Sequence, residues 1–267
     1  MASNLLAGKK GIIFGALDEQ SIAWKVAERC VEEGAKITLT NAPVALRFGK
    51  IQDLGKKLDA EIIGADATSM DDLENLFTKS MEILDGKVDF VLHSIGMSLN
   101  VRKKRVYTNI KHDWMLKTFD ISAMSFHRMM QVMWKLDAIN DWGSILALTY
   151  IAAQRTFPDY SEMAESKALL ESFARSFGYH FGTTKKVRVN TISQSPTWTT
   201  AGSGVKGFDK FFGYADKMSP LGNASAESCA DYCIALFSDL TRMVTMQNLY
   251  HDGGFSKMGM NPSILED

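Results

Sequence analysis

The stretch Gly11-Ile-Ile-Phe14, Gly15-Ala-Leu-Asp-Glu-Gln20, Ser21-Ile-Ala-Trp-Lys-Val-Ala-Glu-Arg-Cys-Val-Glu-Glu-Gly34 decides the fold. Its first four residues form a short apolar run, which reads as a buried parallel strand. The next six read as a loop. Ser21 opens a helix whose apolar positions Ile22, Val26, Ala27 and Val31 share one face, and Gly34 closes it. Strand, loop and helix of this size make one unit of an α/β sheet.

The same unit recurs outward along the chain. Strands are expected at Lys36–Thr40, Glu61–Gly64, Asp89–His93, Ser144–Leu148, Val187–Ile192 and Gln247–His251. Helices are expected over about Val44–Leu58, Met70–Leu84, His112–Leu136 and Ser225–Phe237. Another is expected to open within Tyr150–Lys167 and run to about Phe181. The regular alternation predicts a single domain built on a Rossmann-type, doubly wound, seven-stranded parallel sheet with helices on both faces. The one long irregular stretch, Ser193–Met218, reads as a binding loop or lid. A surface excursion with no role is the plain alternative.

Composition narrows the classes. The chain has 267 residues, 46% apolar, with a net charge of -1. That is enough for a sizeable core, and it argues against electrostatic capture of nucleic acid or an anionic membrane. Cys30, Cys229 and Cys233 form no CxxC pair and no even disulfide set. No metal-ligand cluster is visible. The N-terminus lacks the apolar core of a signal peptide, and no run approaches the length of a membrane span. The default expectation is a soluble cytoplasmic protein.

Ligands of such sheets bind beyond the carboxyl ends of the strands. Gly15, with Ser21 and Ile22 at the helix start, makes an anion site for a pyrophosphate, although only one glycine of the usual three is present. Ser21 equally suits a helix N-cap. The second strand ends in Thr40-Asn-Ala-Pro43 with no acid, which leaves NADH versus NADPH open. Arg47 suits a 2′-phosphate or a solvated helix face. Asp66, followed by Ala67, suits an adenine amine or the N-cap of the next helix. After the fourth strand comes His93-Ser-Ile-Gly-Met97, whose Gly96 lets a flat ligand approach the backbone. His93 has the chemistry of a general base, but its place at the end of a buried strand favours a hydrogen-bonded core residue.

The segment Tyr150-Ile-Ala-Ala-Gln-Arg-Thr-Phe-Pro-Asp-Tyr160-Ser-Glu-Met-Ala-Glu-Ser-Lys167 carries two phenols and one ammonium group. Tyr160 and Lys167, seven residues apart, would share a helix face about 10 Å apart along the axis. A phenol near a cation can stabilise an oxyanion. Tyr107-Thr-Asn-Ile-Lys111 also matches a Tyr-x-x-x-Lys pattern, but it follows the wrong strand and reads as chance.

Together these pieces resemble the bacterial enoyl-acyl-carrier-protein reductases of fatty-acid synthesis, a short-chain-dehydrogenase-like family. The resemblance rests on Tyr150, Tyr160 and Lys167, on Ser21-Ile22-Ala23, on Ser94-Ile95-Gly96, on Val189-Asn-Thr-Ile-Ser-Gln-Ser-Pro196 and on Asp252-Gly-Gly-Phe255, in that family's order. It implies NADH as cofactor, with NADPH not excluded. It implies an acyl-carrier protein bearing 2-enoyl chains as partner, and a homotetramer. Tyr160 would stabilise the enolate, its pKa held down by Lys167. Lys167 would also hold the nicotinamide ribose. Tyr150, Met97 and Ser98 would line the substrate, and Tyr150 would also be catalytic, with a debated part in proton delivery. Gly15, Ser21, Ile22, Ala42, Asp66, Ala67, Ile95, Thr197, Trp198, Thr199, Thr200 and Ala201 would surround the cofactor, and residues 197–218 would form the lid. Two departures affect cofactor contacts only: Gln194-Ser195 stands before the proline where Ala-Gly is common, and Ala42 stands where a ribose-binding glutamine is common. A carbonyl reductase would need a lysine where Ala164 stands. A catalytically dead dinucleotide sensor or scaffold would not need the Tyr160–Lys167 pair. The basic run Arg102-Lys-Lys-Arg105 suits either an acidic carrier or a solvated loop.

Overall fold

The computed structural model describes residues 3–200, 202, 205 and 207–264. Strands β1 (Lys10–Phe14), β2 (Lys36–Thr40), β3 (Val88–His93), β4 (Ile139–Thr149), β5 (Arg188–Gln194) and β6 (Asn248–His251) pair in parallel in the order β2-β1-β3-β4-β5-β6. The helices are α1 (Ile22–Glu32), α2 (Pro43–Phe48), α3 (Ile51–Leu58), α4 (Met70–Ile83), α5 (Leu99–Arg102), α6 (His112–Phe119), α7 (Ser125–Lys135), α8 (Met163–Lys185), α9 (Phe208–Met218) and α10 (Ala226–Phe237). Among the described residues, no helix is long and apolar enough to cross a membrane.

Side chains alternate across each strand, so one strand feeds two cores. Ile12 and Phe14 join Phe77, Phe126 and Phe181 in the layer under α4, α7 and α8. Ile13, between them, packs with Trp24, Val26 and Phe237 under α1 and α10. Strand β3 repeats the pattern, with Val91 on the first side and Phe90 and Leu92 on the second.

The sheet has six strands, where the sequence suggested seven. Residues 61–64 touch the outer edge of β2 only through a bridge between Leu39 and Ile62. Glu61 and Gly64 on either side are exposed, and the Ala65 N–H turns to the Asn41 carbonyl at 3.1 Å. The segment lacks the buried flanks that would extend the ladder. The expected helix over 44–58 is two helices, because Gly49 adopts an extended conformation and the Lys50 N–H bonds the Leu17 carbonyl at 2.8 Å. The helix expected to open within 150–167 begins only at Met163. Before it lie two single 3₁₀ turns, Ile151–Ala153 and Pro158–Tyr160. Strand order reverses between β1 and β3, which puts the crevice at their carboxyl ends.

Candidate active site

The glycine loop and the loop after β3 meet backbone to backbone at this switch point. Gly15 has φ +94°, and a Cβ there would lie 2.0 Å from the Ser94 carbonyl oxygen. Only glycine permits that approach. Ser21 occupies the N-cap position of α1, but its hydroxyl does not cap the helix. It donates to the Asp18 carbonyl at 2.7 Å and accepts from the Leu17 N–H at 3.2 Å. The first-turn N–H groups of α1, at Ile22 and Ala23, are therefore not taken by that side chain, as an anion site requires.

At the end of β2 the bracing is done by Asn41. Its amide donates to the Ala16 carbonyl at 2.9 Å, and its oxygen accepts from the Ala42 N–H at 2.9 Å. Ala42 and Asn41 are half-buried, and Arg47 is exposed. Asp66 is exposed and does not cap α4. Ser69 does, accepting from the Asp72 N–H at 3.2 Å, while Asp66 binds the Thr68 hydroxyl at 2.7 Å. Ala67 is buried beside it.

His93 is a core residue. It is fully buried, with Nε2 2.9 Å from the Ser125 hydroxyl, and burial and the Lys167 charge push its pKa down to about 3. It is therefore neutral and enclosed, not a general base. The next residues follow β3 at its carboxyl end. Ile95 packs against the core beneath it, and a Cβ on Gly96 would come within 3.7 Å of Lys167 Nζ. The Met97 backbone is gripped at both ends by Ser122: the Met97 N–H donates to the hydroxyl at 2.9 Å, and the hydroxyl donates to the Met97 carbonyl at 3.2 Å. Ser122 lies in a π-helical turn, Asp120–Met124, between α6 and α7. Such one-turn irregularities aim side chains out of register with the flanking helix. Ser98 is buried, and its hydroxyl is committed to Glu162 at 2.7 Å.

Lys167 lies on the buried stripe of α8 and donates from Nζ to the Leu148 carbonyl at 2.8 Å. Burial lowers its pKa to about 8, with a partly offsetting attraction from Glu171. One turn along, the buried Glu171 carboxylate accepts from the Thr149 hydroxyl at 2.9 Å, the Asn248 amide at 3.1 Å and the Gln154 amide at 3.2 Å. Strands β4 and β6 are thereby tied to the helix that carries Lys167.

Tyr160 ends the second 3₁₀ turn, so the shared helix face expected for Tyr160 and Lys167 does not exist. The turn is set by Ser161 at φ 49° and ψ −145°, a conformation costing a non-glycine residue about 1–3 kcal/mol. The Tyr160 ring instead meets Tyr150, with centroids 5.1 Å apart and edge to face. Phe157 and Phe211 of α9 close the same cluster at 5.3 and 6.3 Å from Tyr150. No hydrogen bond joins Tyr160 to Lys167 among the described residues, and the lysine does not hold the phenol's pKa down. Burial drives the pKa of Tyr160 up, and burial and the neighbouring Tyr160 do the same for Tyr150. Both phenols are neutral donors near pH 7. Tyr150 Oη is buried with no hydrogen-bond partner, an unmet demand worth about 1–3 kcal/mol.

After β5 the chain returns to the glycine loop, where Thr200 meets Asp18. The Thr197 hydroxyl donates to the Ser195 carbonyl at 3.0 Å and accepts from the Gln194 amide at 3.1 Å. The Thr199 hydroxyl accepts from the Gly202 N–H at 2.9 Å. Thr200 bonds Asp18 of the glycine loop, and the half-exposed Trp198 packs edge-on against Phe208 of α9 at 4.9 Å. Ala201 lies outside the described residues. Tyr107 donates to Glu165 at 2.7 Å on the surface, far in role from the crevice, and Lys111 sits 4.6 Å from the Trp114 ring.

A crevice framed by a glycine turn and an open helix N-terminus at the switch point of a doubly wound sheet defines a dinucleotide-binding protein of the short-chain reductase class. A family model described as enoyl-(acyl carrier protein) reductase matches residues 15–256. The NADH-dependent enoyl-[acyl-carrier-protein] reductase 1 of Rhizobium meliloti is 35% identical over 100% of this chain and 99% of its own. The FabI enzyme of Escherichia coli is 29% identical over 98% and 99%. The crystal structure of the FabI–NADH complex from Alistipes finegoldii superposes with a TM-score of 0.97 at 64% identity, covering 98% of this chain and 93% of that one. The Bacillus cereus reductase, solved with NADP+ and indole naphthyridinone, gives 0.89 at 28% identity, over 96% of this chain and 99% of that one. The chain belongs to the enoyl-(acyl carrier protein) reductase family.

Proposed function

We propose that this chain reduces the carbon–carbon double bond of trans-2-enoyl thioesters carried on an acyl-carrier protein, using NADH, as the last step of each fatty-acid elongation cycle. The observation that carries the reading is the pair of neutral, half-buried phenols in edge-to-face contact at the carboxyl end of β4, beside the strand whose Leu148 carbonyl anchors the Lys167 ammonium. The cofactor supplies hydride to the β-carbon. Charge then develops on the thioester oxygen, and a preorganised donor there is worth about 3–4 kcal/mol of barrier. Tyr160 Oη fills that role as a hydrogen-bond donor, since its raised pKa keeps the proton in place. Tyr150 lines the acyl site, where a substrate oxygen can satisfy its orphaned hydroxyl. Lys167 presents its ammonium beside Gly96, where a ribose hydroxyl would be held. Gly15, Ser21, Ile22, Ala42, Asp66, Ala67, Ile95 and residues 197–200 would hold the rest of the dinucleotide, and residues 197–218 with α9 would act as the lid.

Two finer assignments belong to the same reading. A homotetramer in the cytoplasm is the expectation from the family; the exposed Trp134 and Tyr179 on α7 and α8, at 46% and 59%, offer apolar surface for self-association. Carrier docking is supported by Arg102, Lys103 and Lys104, which are exposed, form no salt bridge among the described residues and lie at the end of α5, one turn past the Met97–Ser98 loop.

The deciding experiment follows oxidation of NADH, and separately of NADPH, with a short 2-enoyl thioester, for the wild type and Tyr160→Phe. Rapid NADH oxidation that collapses in the variant is the expected result. Turnover of ketones only, or none with cofactor still bound, would overturn the reading.

A further inference from the structure

We propose that Glu162 is a positioning residue that locks the Tyr160 turn to the Met97–Ser98 loop, so that the oxyanion donor and the substrate-side wall are held as one unit. The inference rests on the role given to Tyr160 above. Glu162 directly follows the strained Ser161 and is fully buried, at 0% exposure. It occupies the N-cap position of α8, yet its side chain does not cap that helix. It crosses to the neighbouring segments instead. A single oxygen, Oε1, lies 2.7 Å from the Ser98 hydroxyl, 3.1 Å from the Asn100 amide and 2.9 Å from the Thr118 hydroxyl.

Each of those donors is itself fixed. The Ser98 oxygen accepts from the Val101 N–H at 3.1 Å, at the start of α5. Asn100 clasps the Lys111 backbone, accepting from its N–H at 3.0 Å and donating to its carbonyl at 3.2 Å. The single Thr118 proton is shared between Glu162 and the Trp114 carbonyl, each 2.9 Å away, the latter within α6. One carboxylate oxygen thus joins three stretches of chain: the turn carrying Tyr160, the loop after β3 and the helix leading to the π-helical turn that grips Met97.

No cation pairs with this carboxylate among the described residues. Burial opposes its ionisation, but the hydrogen bonds from Ser98, Ser161, Thr118 and Asn100 more than offset that, and its pKa lies below the ordinary carboxylate value. The start of a 23-residue helix also favours negative charge. A buried anion held only by neutral donors from separate segments constrains the position of all of them, because each donor that moved away would leave it less compensated. The backbone next door is Ser161, whose φ of 49° and ψ of −145° end the turn that carries Tyr160.

The test compares Glu162→Ala, Glu162→Gln and Glu162→Ala with Ser161→Gly, all as full-length enzyme. Turnover of a 2-enoyl thioester is measured together with NADH affinity by fluorescence titration. A misplaced donor reduces kcat, so Glu162→Ala should lose about tenfold or more in kcat while NADH affinity stays within about threefold. Glu162→Gln keeps the Oε1 acceptor and should restore kcat to within about threefold of wild type. Ser161→Gly makes the left-handed turn free of strain. Measured against Ser161→Gly alone, it should recover part of the kcat lost in Glu162→Ala. A kcat unchanged in Glu162→Ala, or a loss matched by equal loss of NADH affinity and not relieved by Ser161→Gly, would overturn the inference. Should Glu162→Ala not fold, Thr118→Val decides by the same criterion of lower kcat at unchanged NADH affinity. Full activity of Tyr160→Phe in the same assay would instead overturn the site reading beneath it.

Discussion

Replacing Lys167 by methionine should stabilise the free protein against unfolding at neutral pH relative to alkaline pH, even though it removes a proposed catalytic group. Lys167 is 8% exposed, and its pKa falls from 10.5 to about 8 through burial. That difference of roughly 2.5 units corresponds to about 3 kcal/mol by which burial of the charge destabilises the folded state. The sign is the reverse of the common case for a lysine. Below pH 8 both folded and unfolded chains carry the proton, so the full cost is present. Between pH 8 and 10.5 the folded chain loses it first, and the cost disappears. The hydrogen bond to the Leu148 carbonyl is lost in the variant at every pH and contributes a constant offset of about 1–3 kcal/mol. The pH-dependent part is thereby isolated. Urea unfolding of wild type and Lys167→Met, at one protein concentration and at pH 7 and pH 10.5, should show the difference between the two proteins swing by about 3 kcal/mol, the variant faring relatively better at pH 7. A constant difference across that range would refute the argument that the ammonium is buried at a cost.

The remaining predictions concern chemistry, cofactor and partner. Tyr160→Phe should lower kcat by about 10²–10³ with little change in NADH affinity, checked by steady-state kinetics and fluorescence titration. Gly15→Ala places a Cβ 2.0 Å from the Ser94 carbonyl at a φ that alanine resists; it should raise KM for NADH by about tenfold or more and lower the thermal midpoint. Changing Arg102, Lys103, Lys104 and Arg105 together to serine should raise KM for the carrier-linked substrate, more so at low salt, and leave a coenzyme A thioester nearly unaffected; equal effects on both would sink the docking surface.

Much of this was readable in the chain because the doubly wound sheet writes itself as apolar runs separated by amphipathic helices. Ile12 and Phe14 against Ile13 show why the runs are continuous: each strand is covered on both faces. The seventh strand was misread because residues 61–64 have the composition of a strand and only one bridge to β2; pairing depends on where the partner lies, which composition does not encode. The start of α8 was misplaced for a related reason. Pro158 disfavours a continuous helix through residues 150–157, a local signal that was passed over, while nothing local announces that Ser161 takes a positive φ. Asn41 and Ser122 went unnoticed because their partners, Ala16 and Met97, are 25 residues away in each case. Glu162 went unnoticed because two acids between Tyr160 and Lys167 look like a solvated face. One signal was present and unused. Along α8 the buried positions Met163, Ser166, Leu170, Ala174, Gly178 and Phe181 mark an apolar stripe, and Lys167 and Glu171 fall on it. Charged residues on a core stripe are expensive unless held by partners, so such positions in a sequence point to a site.

The corrected start of α8 changes what the tyrosine can do. On a continuous helix, Tyr160 would stand two turns from Lys167, and its proton would be shared with a cation. With the break at Ser161, the phenol turns to Tyr150 and an aromatic wall, and its environment raises the pKa. A phenolate could not donate to a developing thioester oxyanion; a neutral phenol can, and an apolar surrounding strengthens the bond as charge appears. Lys167 is then released from any duty to the phenol. Its partners are the Leu148 carbonyl and Glu171, which fix the ammonium beneath Gly96. In the proposed mechanism the division follows from one residue at positive φ: Tyr160, the proposed oxyanion donor, is kept neutral by its surroundings, and Lys167, the proposed ribose partner, is held by the helix that begins after Ser161.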